Sequence, residues 1–130
     1  MTPRRHDLIA LALPILAVVT LGACGGDSAS TPVEVPADTD LEVRAVAGLR
    51  FDKTSYEAQA GDISVAYVND DTIRHTLVVI KDGVIDNSFE LEVNRKGDVD
   101  SGSVTLEPGN YVLFCTVPGH QNMKADLIVK

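Results

Sequence analysis

Cys115, His120 and Met123 fall within nine residues of a chain that is poor in all three types. The 130 residues hold two Cys, three His and two Met, and no Trp. His75 lies forty residues upstream of Cys115. A thiolate, two imidazoles and a thioether are the donors of a trigonal site with a long axial sulfur, a set that suits copper in both of its oxidation states. One copper ion is therefore the expected cofactor, with zinc as the competing metal. Taken singly, His75 would read as a structural residue and Met123 as core. Three equatorial donors and one axial donor leave no open position for a substrate, unlike a catalytic metal centre, so an enzyme is not expected.

The N-terminus bears on whether Cys115 has a cysteine to pair with. Arg4 and Arg5 precede an uncharged run, Leu8 to Ala23, of sixteen residues. That is shorter than the roughly 20 apolar residues a membrane span needs, and Pro14 interrupts it, so residues 1–23 read as a signal peptide. The stretch Leu21-Gly-Ala-Cys24 that ends the run resembles the lipobox of bacterial lipoproteins. The resemblance implies cleavage before Cys24 and acylation of that cysteine. The alternative is an ordinary cleavage site followed by a chance cysteine. Pro3-Arg-Arg-His-Asp7 fits a twin-arginine export signal poorly. With Cys24 lipidated, the expected location is the extracytoplasmic face of the cell membrane, periplasmic or extracellular. Cys115 is then an unpaired thiol in an oxidising compartment, which metal ligation would explain.

Residues 24–40 carry four acids and two prolines with no base and no aromatic residue, and read as a flexible acidic tether. A weak edge strand at Pro32 to Val35 is the other reading. The processed chain loses two of eleven basic residues and one of nineteen acidic ones, leaving nine against eighteen and a formal charge of −9. Nucleic acid is excluded as a partner by that balance. A monomer is expected.

The donors need a frame, and residues 41–130 supply one of a single type. Strand-like runs recur at Leu41–Val46, Asp62–Val68, Thr76–Ile80, Phe89–Val93, Ser103–Leu106, Tyr111–Cys115 and Ala125–Val129. Turn residues separate them, among them Asn69-Asp70-Asp71, Lys81-Asp82-Gly83 and Glu107-Pro108-Gly109-Asn110. Alternation such as Ile63, Val65 and Tyr67 against Ser64 and Ala66 marks sheets with one buried face. No segment keeps a helical period. The pattern predicts an all-β, single-domain Greek-key β-sandwich. Tyr111, after its turn, reads as a tyrosine corner or as plain core.

Leu106-x-Pro-Gly-x-Tyr-x-x-x-Cys115 followed by Thr-Val-Pro-Gly-His120 resembles the C-terminal signature of cupredoxins, the plastocyanin and azurin superfamily. The Cys-Thr-x-Pro-Gly-His segment is closest to azurins and auracyanins. The resemblance implies that His75, Cys115 and His120 are the equatorial ligands and Met123 the axial one. His120 is implied to be the solvent-facing imidazole. Thr76 stands where many members have asparagine, and Thr76 and Thr116 are expected to clamp the ligand loop by hydroxyl hydrogen bonds. Pro118 would limit the N–H donors near the sulfur. Two departures stand out. Only two residues separate His120 from Met123, as in amicyanins, and Arg74 replaces the glycine that precedes the upstream histidine of azurins, so no fifth ligand is expected.

The implied function is single-electron transfer between redox partners such as a cytochrome, terminal oxidase or reductase. The alternative is a copper storage or delivery module without redox turnover. Phe114, Val117 and Pro118 would form an apolar docking patch around His120, with Arg74 and Lys124 as rim charges.

Overall fold

A computed structural model describes residues 32–130; the expected signal peptide, Cys24 and the first part of the tether lie outside the described residues. Nine strands follow in order: β1 (Leu41–Val46), β2 (Arg50–Phe51), β3 (Ser55–Ala58), β4 (Gly61–Asn69), β5 (His75–Lys81), β6 (Val84–Val93), β7 (Val99–Leu106), β8 (Gly109–Phe114) and β9 (Lys124–Val129). One sheet runs β2-β1-β4-β7 and the other β3-β9-β8-β5-β6. The chain passes repeatedly from one sheet to the other, giving the expected two-layer sandwich.

Strand alternation builds the core. Leu41, Val43 and Ala45 of β1 face Leu77 and Val79 of β5 and Leu113 of β8 across one apolar layer that also takes in Ile63, Val65 and Tyr67. A period of two puts every second residue on the inner face. On β5 the inward set that contains Leu77 and Val79 also contains His75, and the set of Tyr111 and Leu113 continues to Cys115. Two candidate ligands are thus core positions at strand ends.

Seven strands match the expected runs: β1 has the expected limits, β8 begins two residues earlier and stops at Phe114, one short of Cys115, and the other five are wider. β6 extends back to Val84 because Asp82 (φ 51°) and Gly83 (φ 80°) form a tight two-residue turn that registers Lys81 against Val84. β2 and β3 carry too short a pattern to be read from sequence. Each is held by a neighbour instead: β2 pairs antiparallel with β1, and β3 lies parallel to β9. β1 and β4 are also parallel. No strand forms at Pro32 to Val35. Hydrogen bonds tie Asp38 and Asp40 to β4. The Asp38 carbonyl accepts from the Ser64 hydroxyl, and the Asp40 carboxylate accepts from Ser64 N–H at 2.8 Å.

Tyr111 forms the tyrosine corner, its hydroxyl donating to the Glu107 carbonyl at 2.8 Å. That bond spans the turn feeding β8 and sets the approach to Cys115.

Candidate metal centre

Cys115 follows β8 directly, and the loop after it is two consecutive turns. In the first, His120 N–H donates to Val117 C=O at 3.0 Å around Pro118 and Gly119, the latter at φ 91°. Proline then glycine with positive φ is the requirement of a type II turn. In the second, Met123 N–H donates to His120 C=O at 2.8 Å, and Cys115 N–H returns to Met123 C=O at 3.1 Å. The short His120–Met123 interval therefore closes the loop onto the cysteine.

The outcome is a convergent donor set. One nitrogen from each of His75 and His120 and the sulfur of Cys115 lie within 4.8 Å of one another. His120 Nδ1 is 3.6 Å from Cys115 Sγ, and the two imidazole rings stand 5.0 Å apart, tilted by 45°. Met123 is fully buried on the same loop, within the core cluster. His75, Cys115 and Met123 are 0–1% exposed, whereas His120 is 9% exposed. His120 is thus the least buried of the four, but it is buried and not the solvent-facing imidazole that the resemblance implied.

His75 Nε2 lies 3.1 Å from Asp71 Oδ2, while His75 Nδ1 is buried with no hydrogen-bond partner. Orphaned buried polar atoms are rare and ask for a reason. A metal bound to that nitrogen removes the anomaly, and the chemistry of the surrounding donors is that of copper. The residues fit the ion. Burial pushes the His75 imidazole below its ordinary value, against the pull of its Asp71 hydrogen bond, so it is neutral and able to ligate. The Asp71 carboxyl is held below the usual range, first by Thr72 N–H and then, against the opposing effect of burial, by His75.

Thr76 and Thr116 are joined directly by hydrogen bonds. Thr76 Oγ1 lies 2.8 Å from Thr116 Oγ1 and accepts Thr116 N–H at 2.8 Å. Thr76 N–H donates to Cys115 Sγ at 3.4 Å, and its hydroxyl lies 3.7 Å from the same sulfur. Pro118 makes no hydrogen bond to that sulfur among the described residues. Of the expected docking residues, Pro118 and Lys124 are exposed, and Phe114 and Val117 are half-buried, with Val117 packed on the core. Arg74 is ion-paired with Glu92, which offsets its charge.

Two contributors were not read from sequence. Asp71 could have been found from its position four residues before His75, but it sat inside what looked like a plain turn. Asn69 is fully buried and carries no motif signal.

A two-sheet sandwich with two imidazoles, a thiolate and a buried thioether gathered at one end defines a class, the cupredoxins. The chain belongs to the plastocyanin/azurin family of copper binding proteins, whose model matches residues 37–130. Among solved structures it is similar to the dithionite-reduced auracyanin of the photosynthetic bacterium Roseiflexus castenholzii, at 21% identity. That alignment covers 73% of this chain and 99% of the other, with a TM-score of 0.61. A purple cupredoxin from Nitrosopumilus maritimus aligns at 22% identity over 70% and 100% of the two chains, with a TM-score of 0.57. Auracyanin B aligns at 24% identity over 74% and 93%, with a TM-score of 0.55. At these identities the likeness is one of fold. No curated protein sequence matches the chain.

Proposed function

We propose that this protein is a single-copper electron carrier held by lipid on Cys24 to the extracytoplasmic face of a membrane. Its ligands are His75, Cys115, His120 and Met123. Copper held by these residues supplies one-electron chemistry, alternating between Cu(II) and Cu(I). The observation that carries the reading is the orphaned, buried Nδ1 of His75, on a ring that offers a nitrogen within 4.8 Å of Cys115 Sγ and stands 5.0 Å from the His120 ring.

The protein's part is to hold the donors still. Strand ends fix His75 and Cys115, the Thr76–Thr116 clamp ties them together, and two turns place His120 and Met123. A frame that changes little between oxidation states keeps reorganisation small and electron exchange fast. His120 is the ligand with access to the surface, so electrons pass through its edge. Val117 and Pro118 beside it offer the apolar contact that a small transient redox interface needs. Lys124 adds a positive rim charge to an acidic chain.

The purified domain should bind one copper per chain and show an intense thiolate-to-Cu(II) absorption that bleaches reversibly on reduction. Cys115→Ser should remove the band and leave the sandwich folded. Copper that leaves to a chelator within seconds would favour storage or delivery instead. The anchor is tested separately: the wild type made in its host should partition into the detergent phase, and Cys24→Ala should either release the domain to the aqueous phase or leave an uncleaved precursor that still carries the apolar run Leu8 to Ala23. Each acyl CH₂ contributes about 0.8 kcal/mol of membrane affinity. Wild type in the aqueous phase would remove the lipid anchor from the proposal.

A further inference from the structure

The loop between β4 and β5 is more organised than its polar composition suggests. Asn69, fully buried, donates its N–H to Asp98 C=O at 2.9 Å and accepts Gly97 N–H at 2.8 Å. Its side chain spans the loop, accepting Asp71 N–H at 2.9 Å and donating to Ile73 C=O at 2.8 Å. Asp70 N–H is tied to Ala45 C=O at 2.9 Å. Asp71 is thus delivered to His75 on a braced backbone.

Both Asp71 oxygens are engaged. Oδ1 accepts Thr72 N–H at 2.7 Å, and Oδ2 lies 3.1 Å from His75 Nε2. A carboxylate has only acceptors, so the second contact requires the proton on Nε2 and leaves Nδ1 with its lone pair. The side chain of Asp71 is 13% exposed and that of His75 is 0% exposed, so water screens the charge poorly. A fixed anion across one imidazole ring stabilises the doubly charged ion more than the singly charged one.

We propose that Asp71 is a positioning residue of the copper site, which holds His75 in the tautomer with Nδ1 free for the metal and favours Cu(II) over Cu(I). It rests on the copper reading above and extends it to a group that touches no metal. Loss of such outer partners typically weakens metal binding about 10–100-fold. A loss that is larger for the oxidised ion is what a charge effect predicts.

Asp71→Asn is nearly isosteric but has one acceptor oxygen where two are used. Its NH₂ must face either Thr72 N–H or His75 Nε2, and in the second case the imidazole proton moves to Nδ1. The test has two readouts. In copper-free wild type, imidazole ¹⁵N shifts should show His75 protonated at Nε2 alone, and a wild-type ring protonated at Nδ1 would overturn the proposal. Titration of wild type and Asp71→Asn with Cu(I) and Cu(II) should show the Cu(II)-to-Cu(I) affinity ratio falling about tenfold in the variant. For a one-electron couple that is a potential about 59 mV higher. A ratio within twofold of wild type would overturn the charge effect, whatever happens to the melting temperature. Asp71→Ser, which keeps an acceptor for Thr72 N–H, reads the same ratio if the asparagine variant does not fold. Wild type that binds no copper at all would refute the copper site itself, a failure visible before any variant is made.

Discussion

Thr76 and Thr116, forty residues apart, meet with their hydroxyl oxygens 2.8 Å from each other, directly beside the Cys115 sulfur. The contact joins the start of β5 to the loop after β8. It therefore links the two stretches that carry His75 and Cys115.

Thr76→Val keeps the shape of the side chain and removes the hydroxyl. Thr116 N–H, which donates to it at 2.8 Å, is left without its partner in a part-buried position. The copper-free domain should lose about 1 kcal/mol of unfolding free energy, the low end for an unmet donor because Thr116 is open to water on one side. Denaturant midpoints measure it. The thiolate-to-Cu(II) band should also shift, because one hydroxyl leaves the sulfur's surroundings.

Gly119 holds φ at 91° in the turn that aims His120, and a Cβ there would meet no atom within 4 Å. The cost of Gly119→Ala is thus conformational and not steric, about 1–2 kcal/mol for a residue with a side chain at positive φ. Copper should be retained less well while the circular dichroism of the sandwich is unchanged. An unaltered copper affinity would mean that the turn does not set the position of His120.

Tyr67 is fully buried, edge-on to Phe51 at 6.2 Å, and its hydroxyl has no hydrogen-bond partner. Burial pushes its phenol pKa far above the ordinary value. Removing an unsatisfied hydroxyl recovers its desolvation penalty, so Tyr67→Phe should stabilise the domain by about 1 kcal/mol. A destabilised variant would reveal a partner for that hydroxyl, such as a bound water.

Acid should destabilise the copper-free protein in two stages. His75 has a folded value below its unfolded value of 6.5, so above 6.5 both states are neutral and nothing is lost. As the pH falls through 6.5 the unfolded chain takes up a proton that the folded chain resists, and stability declines until the folded value is passed. Asp71, lowered from 3.8, contributes stability above that value and loses it as the pH falls through its folded value. Denaturant midpoints at pH 7.5, 6 and 5 should fall in that order, and His75→Gln should flatten the upper stage.

The sequence by itself determined the class of fold and singled out the candidate donors, and it left Tyr111 as either a tyrosine corner or plain core until its hydroxyl was seen to meet the Glu107 carbonyl. These are local signals: alternation declares a half-buried strand, Pro-Gly declares a turn, and scarce soft donors crowded into nine residues declare a metal. Its reading of seven strands omitted β2 and β3, because a two-residue and a four-residue strand are held by pairing with β1 and β9 and not by their own pattern. The tertiary structure supplied the reason that His75 meets Cys115, which spacing alone does not give: both are inward residues at the ends of strands brought side by side in one sheet. It likewise decided the role of Asn69-Asp70-Asp71. In sequence those residues read as a turn. In the fold, Asn69 is buried and braces the loop, and the direction it imposes carries the Asp71 carboxylate to the far nitrogen of a ligand. Hydrogen bonds between side chains depend on where the backbone is held, which no local spacing specifies.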